Sequence, residues 1–274
     1  MDRNPPDSAD RPLSFLAAAA WTLLVAILLG VMIAVIDAVH PGALIDVVTV
    51  ATCKLLAYSV VLFALLRVHE PESSIRRVLA LRRPPMIMVL LASVVGAGIS
   101  PGAMWLDGLF ARRFPPTPQE SEAFERIFTT PTIGKKVALI LAVMVVMPIC
   151  DELFFRGALF TPLKKGRRAE TIILATAAYD TLLAGAPARE LFSMLATAVA
   201  LAWIRAVSGS VFPSVAARVA FFAVQVLPLV LLGSDRIPGG IAIGGLALAV
   251  ASLAGIAAVG KRSARVLEAR LQDG

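Results

Sequence analysis

Apolar residues in this chain run in long blocks, broken by short polar stretches rich in arginine, proline and glycine. A helix needs about 20 predominantly apolar residues to cross the hydrocarbon of a bilayer. Blocks at 13–37, 42–66, 86–109, 136–160, 171–188, 191–206, 209–232 and 237–260 meet or approach that length. The pattern predicts about eight membrane-spanning helices, the fifth and sixth being the shortest. No repeat of 20–50 residues and no low-complexity tract appears. The one long connection, 110–135, is proline-rich and carries an acidic centre (QESEAFER). It is too short to form a domain of its own.

Composition agrees with the blocks. The chain has 274 residues, 58% hydrophobic and 16% charged. A soluble domain has roughly 45–50% apolar and about 25% charged residues. The expected fold is an all-α polytopic membrane protein, a single membrane domain over 1–274 with a short N-terminal tail (1–12) and a basic C-terminal tail (261–274). The first block is too long for the apolar part of a signal peptide, and no small-residue cleavage site follows it, so it reads as a retained helix.

The formal charge of +7 would suggest nucleic acid in a soluble protein. No basic stripe interleaved with exposed aromatics is present, so nucleic-acid binding is not expected. The basic residues instead orient the chain. With the N-terminus inside, sixteen lysines and arginines fall on the inner side and seven on the outer. That asymmetry predicts both termini in the cytoplasm, and the cytoplasmic membrane as the setting. The tail KRSARVLEARL reads either as a basic amphipathic helix on the inner surface or as a frayed end with solvated charges. Cys53 and Cys150 both lie in apolar blocks and form no CxxC pair, so no cysteine zinc site is expected.

The candidate chemistry sits inside the fourth block, in the run DELFFRG (Asp151–Gly157). Two carboxylates and a guanidinium at membrane depth are costly unless they pair or line a wet cavity. Pro148 predicts a kink that opens room beside them. Glu152 and Arg156 are four apart and share a helix face, in the favourable acid-before-base order. Asp151 points about 100° away, towards another helix. Later blocks add Asp180, Arg218 and Gln225, while Asp46, Lys54 and Asp107 sit nearer the ends of theirs. The simplest assembly brings Asp151, Glu152, Arg156, Asp180 and Arg218 together from the fourth, fifth and seventh blocks. Such a centre serves either as a water-containing catalytic cleft, with a carboxylate as general base, or as an ion-pair cluster that only fixes helix packing.

The order and spacing of these segments resemble the CPBP family of CAAX-processing and bacteriocin-processing membrane proteases, over residues 136–230. The family carries EExxxR, then FxxxH in the next helix, then an HxxxN motif after a Gly-Ser…Pro entry. Here the first motif reads Asp151-Glu152…Arg156, with aspartate for the first glutamate. In the second, Tyr179 replaces the phenylalanine and Leu183 the histidine. In the third, after Gly209, Ser210 and Pro213, Arg218 stands for the histidine and Phe222 for the asparagine. The resemblance implies an intramembrane endopeptidase whose first acid is the base. It also implies that the histidines and asparagine orient water, stabilise an oxyanion or hold a metal. Leucine and phenylalanine do none of these, and arginine is neither base nor ordinary metal ligand. The chain's two histidines, His40 and His69, lie in connections far from the motifs.

The expectation is therefore a catalytically degenerate member, with Arg218 paired to Asp151 or Glu152. It would act as a membrane binder or regulator of membrane-embedded or lipidated peptides, with no cofactor and no metal. Membrane lipid is the other expected partner, and nothing in the chain indicates an oligomeric state. An alternative is an active, divergent endopeptidase in which Asp151, Glu152 and Asp180 share the work and Arg218 stabilises the oxyanion. The Tyr179-Asp180 pair has no GxGD partner, so an intramembrane aspartyl protease is disfavoured. A small transporter is a further alternative, against which no inverted repeat is found.

Overall fold

The structure, a computed structural model, describes residues 13–128, 132–232 and 239–272. The expected N-terminal tail, 1–12, lies outside them. The described residues form helices α1 (Phe15–Val39), α2 (Val47–His69), the one-turn α3 (Ile75–Val78), α4 (Met86–Ala111) and α5 (Pro118–Phe128). They continue through α6 (Ile133–Lys164), α7 (Ala169–Ala184), α8 (Leu191–Ser208), α9 (Phe212–Leu232) and α10 (Gly239–Gln272). No strand occurs among the described residues.

Helix starts follow local chemistry. Ser14 caps α1 by accepting from Ala17 N at 3.0 Å, and Asp46 caps α2 by accepting from Thr49 N at 3.1 Å. Asp46, expected within the second span, is thus its cap. The connection 110–135 holds a capping box at the start of α5. Thr117 N donates to Glu120 Oε2 at 2.8 Å, and Glu120 N donates to Thr117 Oγ1 at 3.2 Å, with Pro118 between them at the first helical position. Arg189 Nη1 also donates to Glu120 Oε2, at 3.0 Å, which ties α5 to the entry of α8. The Thr117 amide and the Arg189 guanidinium hold the Glu120 carboxyl below its usual range.

Among the described residues seven helices are long and apolar enough to cross a membrane, one fewer than the eight expected. The difference is the fifth block. Its helix, α7, has 16 residues and spans about 24 Å at 1.5 Å per residue, short of the ~30 Å hydrocarbon. Gly185 ends it in a left-handed conformation (φ +60), which a glycine adopts without a Cβ clash. Helix α6 is the opposite case. Its 32 residues contain two π-helical segments, Ala142–Val146 and Leu153–Leu159, which bracket Asp151 and Glu152. Pro148, lacking an N–H, follows the first of them.

The buried run Phe154–Phe160 puts this part of α6 at the centre of the bundle. On one side it meets α1 and α2 through an apolar cluster that includes Leu13, Tyr58, Leu65, Phe154 and Phe160. On the other side α4 packs closely on α9 and α10, with Val95, Ala217, Ala249 and Ile256 between them. Close approach is possible because α4 has glycine there. A Cβ on Gly96 would fall 1.8 Å from the Ala217 carbonyl oxygen, and one on Gly98 2.4 Å from that of Gly245. The Gly96 contact sets the position of α9 one residue before Arg218.

Candidate functional site

Five of the ionisable residues singled out in the sequence meet in one buried cluster. Glu152 and Arg156 have no exposed surface, and Asp151, Asp180 and Arg218 are each buried. Helix α6 supplies Asp151, Glu152 and Arg156, α7 supplies Asp180, and α9 supplies Arg218. Two adjacent acids face inward because α6 is surrounded on most sides and its π turns widen the helix around them.

Arg218 is the hub. Its guanidinium grips Asp180 with two bonds, Nη1 to Oδ2 at 2.9 Å and Nη2 to Oδ1 at 3.0 Å. Nη1 also reaches Glu152 Oε1 at 2.9 Å, and Nη2 lies 3.5 Å from Asp151 Oδ2. The expected pairing of Arg218 is present, but its bidentate partner is Asp180 rather than Asp151 or Glu152. Planar fork geometry explains the choice, because only Asp180 presents both oxygens to it. Arg156 pairs with Asp180 as well, lies 3.4 Å from Glu152 Oε1, and donates Nη2 to the Ala198 carbonyl at 2.7 Å.

Asp151 does point to another helix, and the residue it meets is Lys54 of α2. Lys54 Nζ stands 2.7 Å from Asp151 Oδ1. Three acids therefore face three bases. The cluster is neutral, which is the arrangement that makes buried charge tolerable. The sequence reading placed Lys54 near the end of its span and left it out of the centre. Its signal was available, since it is the sole charged residue of α2 before Arg67.

Arg205, one of the sixteen basic residues assigned to the inner side, lies in the last turn of α8 and turns its side chain inward. It is buried, and its Nε donates to the Arg156 carbonyl at 2.8 Å. Its Nη2 reaches Thr161 Oγ1 at 3.3 Å. Arg205 thus satisfies a carbonyl inside the second π-helical segment and steadies the turn that carries Arg156.

The substituted motif positions divide. Tyr179 donates its hydroxyl to the Phe15 carbonyl at 2.9 Å, and both Tyr179 and Leu183 pack against the apolar cluster of α1, α2 and α6. Phe222 lines a small cavity of about 40 Å³, together with Asp180, Thr181, Thr197, Arg218 and Phe221. A water needs about 10–15 Å³ of such volume, so the space suits a few waters and no peptide. Thr197 Oγ1, Glu152 Oε2 and Arg156 Nε are buried there or nearby without a hydrogen-bond partner. His40 and His69 make no bond to the cluster; His69 Nε2 accepts from Trp21 Nε1 at 3.0 Å.

The donor set does not fit a metal ion. Among the described residues no group of three or more His, Cys, Asp or Glu side chains is placed to hold one. Two guanidinium groups lie among the three carboxylates and cannot coordinate a cation.

Residues 133–224 match the family model described as type II CAAX prenyl endopeptidase Rce1-like. The match covers the stretch in which all three motifs lie. It supports CPBP membership and a CAAX-protease-like, multi-pass membrane protein. No curated protein and no solved structure matches the chain.

Proposed function

Taking a CAAX-protease-like membrane core as the premise, we propose that this chain has lost the family's peptidase chemistry. It acts as a membrane binder or regulator of lipidated or membrane-embedded peptides. The observation that carries the reading is Arg218. It occupies a motif histidine position and engages Asp180 and Glu152 at once. A general base needs a free lone pair within hydrogen-bond reach of the attacking water. Here Asp151 is held by Lys54 and Asp180 by both arginines, while Glu152 is held through Oε1 alone and its free Oε2 is buried in a residue with no exposed surface. Leu183 and Phe222 supply neither the donor nor the acceptor of the residues they replace. The membrane is the cytoplasmic one, and both termini lie in the cytoplasm if the short α7 serves as an eighth crossing, a reading supported by the excess of basic residues on that side.

The active, divergent endopeptidase remains the second reading, favoured by the water-sized cavity beside Asp180 and the unpartnered Thr197 hydroxyl within it. One assay separates the two. The purified protein in lipid nanodiscs is given an internally quenched prenylated CAAX peptide. The expected result is no turnover above protein-free discs, together with saturable binding that the unprenylated peptide does not show. Turnover that disappears in Asp151→Asn or Asp180→Asn overturns the non-catalytic reading. Absence of saturable binding overturns the binder.

A further inference from the structure

We infer that α8 and α10 form a binding site for an anionic phospholipid, with one acyl chain in a lateral groove and the phosphate on Lys261 and Arg262. The inference is independent of the function proposed above and rests on the membrane-spanning character of these helices.

The groove has a volume of about 390 Å³ and is lined by Ala196, Ala200, Trp203, Leu253, Ala254 and Ala257. Alanines on both helices leave the gap, and its walls present almost no polar surface. Ala196 and Ala254 are exposed and the others half-buried, so the groove opens sideways, away from the bundle. A gap opening on lipid is filled by a chain that restores the lost dispersion contacts. A hydrocarbon tail does this without stranding a peptide group, which an unfolded polypeptide segment would do.

The headgroup end is set by charge. Below the groove α8 and α10 close on each other, so that a Cβ on Gly260 would stand 2.7 Å from Val207 Cγ1. Lys261 follows Ala257 by four residues and so continues the groove face one turn on. Lys261 and Arg262 are exposed, and no described carboxylate pairs with either. Two adjacent cations at the end of a spanning helix attract an anionic headgroup. Trp203 in the wall suits the same level, where an indole meets the interface. A zwitterionic lipid fits the apolar groove equally well but gains less from the two cations.

Trp203 also supplies the probe. The chain has three tryptophans, so Trp21→Phe/Trp105→Phe leaves Trp203 as the sole indole. This protein is placed in vesicles containing phosphatidylglycerol or phosphatidylcholine with brominated acyl chains, which quench indole fluorescence on contact. The expected result is an apparent preference for phosphatidylglycerol on the order of tenfold. It falls towards parity in Lys261→Gln/Arg262→Gln, and Ala200→Leu/Ala254→Leu abolishes the groove component. Trp21 donates to His69, so a second measurement uses the unmodified chain. Native mass spectrometry from detergent with phosphatidylglycerol added is expected to retain one lipid, lost in Ala200→Leu/Ala254→Leu. Equal quenching by both lipids overturns the inference. So does a preference that survives groove filling, or displacement of phosphatidylglycerol by an uncharged isoprenoid.

Discussion

Removing the guanidinium of Arg218 leaves Asp180 and Glu152 each short of a partner inside the bundle. Breaking a buried pair from one side costs about 3–5 kcal/mol, because the remaining charge stays desolvated. Arg218→Met is therefore expected to lower thermal stability strongly in detergent, read by intrinsic fluorescence. Arg218→Lys keeps the charge but not the two-pronged grip on Asp180, so it recovers only part of the loss. A full recovery by lysine would show that charge alone matters. Lys54 belongs to the same scale with a smaller effect, since its side chain is 17% exposed and water partly replaces it. The cycle of Lys54→Met, Asp151→Asn and the double variant is expected to show a positive coupling energy. Additive losses would mean that the 2.7 Å contact contributes nothing to stability.

At the scale of elements, packing decides where the charges stand. Gly96 lets α4 approach α9 so closely that any side chain there meets the Ala217 backbone. Gly96→Leu is expected to push α9 outward, reduce the folded yield and lengthen the Arg218–Glu152 contact. Fluorine labels on α9 in the variant would report the shift. Outside the spans, α5 is held by its capping box and by Arg189. The Glu120 carboxyl lies below its usual range in the folded chain. A depressed acid contributes stability above its unfolded pKa and loses it as pH falls through the folded value. The protection of amides in 118–128, relative to their intrinsic exchange at each pH, is therefore expected to fall on acidification below the ordinary carboxylate range. That loss should be absent in Glu120→Gln, where position 120 no longer titrates.

At the scale of the molecule, the helices that carry the three motif segments enclose a neutral ionic centre. The proposed loss of peptidase chemistry is tested most sharply by restoring the substituted side chains. On the proposed reading, Asp151→Glu/Leu183→His/Arg218→His/Phe222→Asn is expected to hydrolyse the peptide faster than the native chain, measured in the prenylated-peptide assay. Leu183 packs against the apolar cluster, so the restored histidine must rotate α7 locally to face the carboxylates. Omitting Leu183→His while gaining the same activity would show that this position is dispensable.

The amino-acid sequence by itself determined the membrane class, most of the spans and the identity of the central charges. The reason is that hydrocarbon penalises each polar group, so the few ionisable residues inside apolar blocks stand out one by one. It also carried the motif positions, which depend on local spacing along single helices. Tertiary structure alone decided the partners. Which carboxylate receives both prongs of Arg218 depends on how α7 and α9 cross, and no spacing within either helix encodes that angle. The pairing of Lys54 with Asp151 joins residues almost a hundred positions apart, and Arg205 reached inward to a carbonyl freed by a π turn that the apolar pattern does not show. The short α7 was likewise hidden, since an apolar block states what is buried and not where the backbone turns.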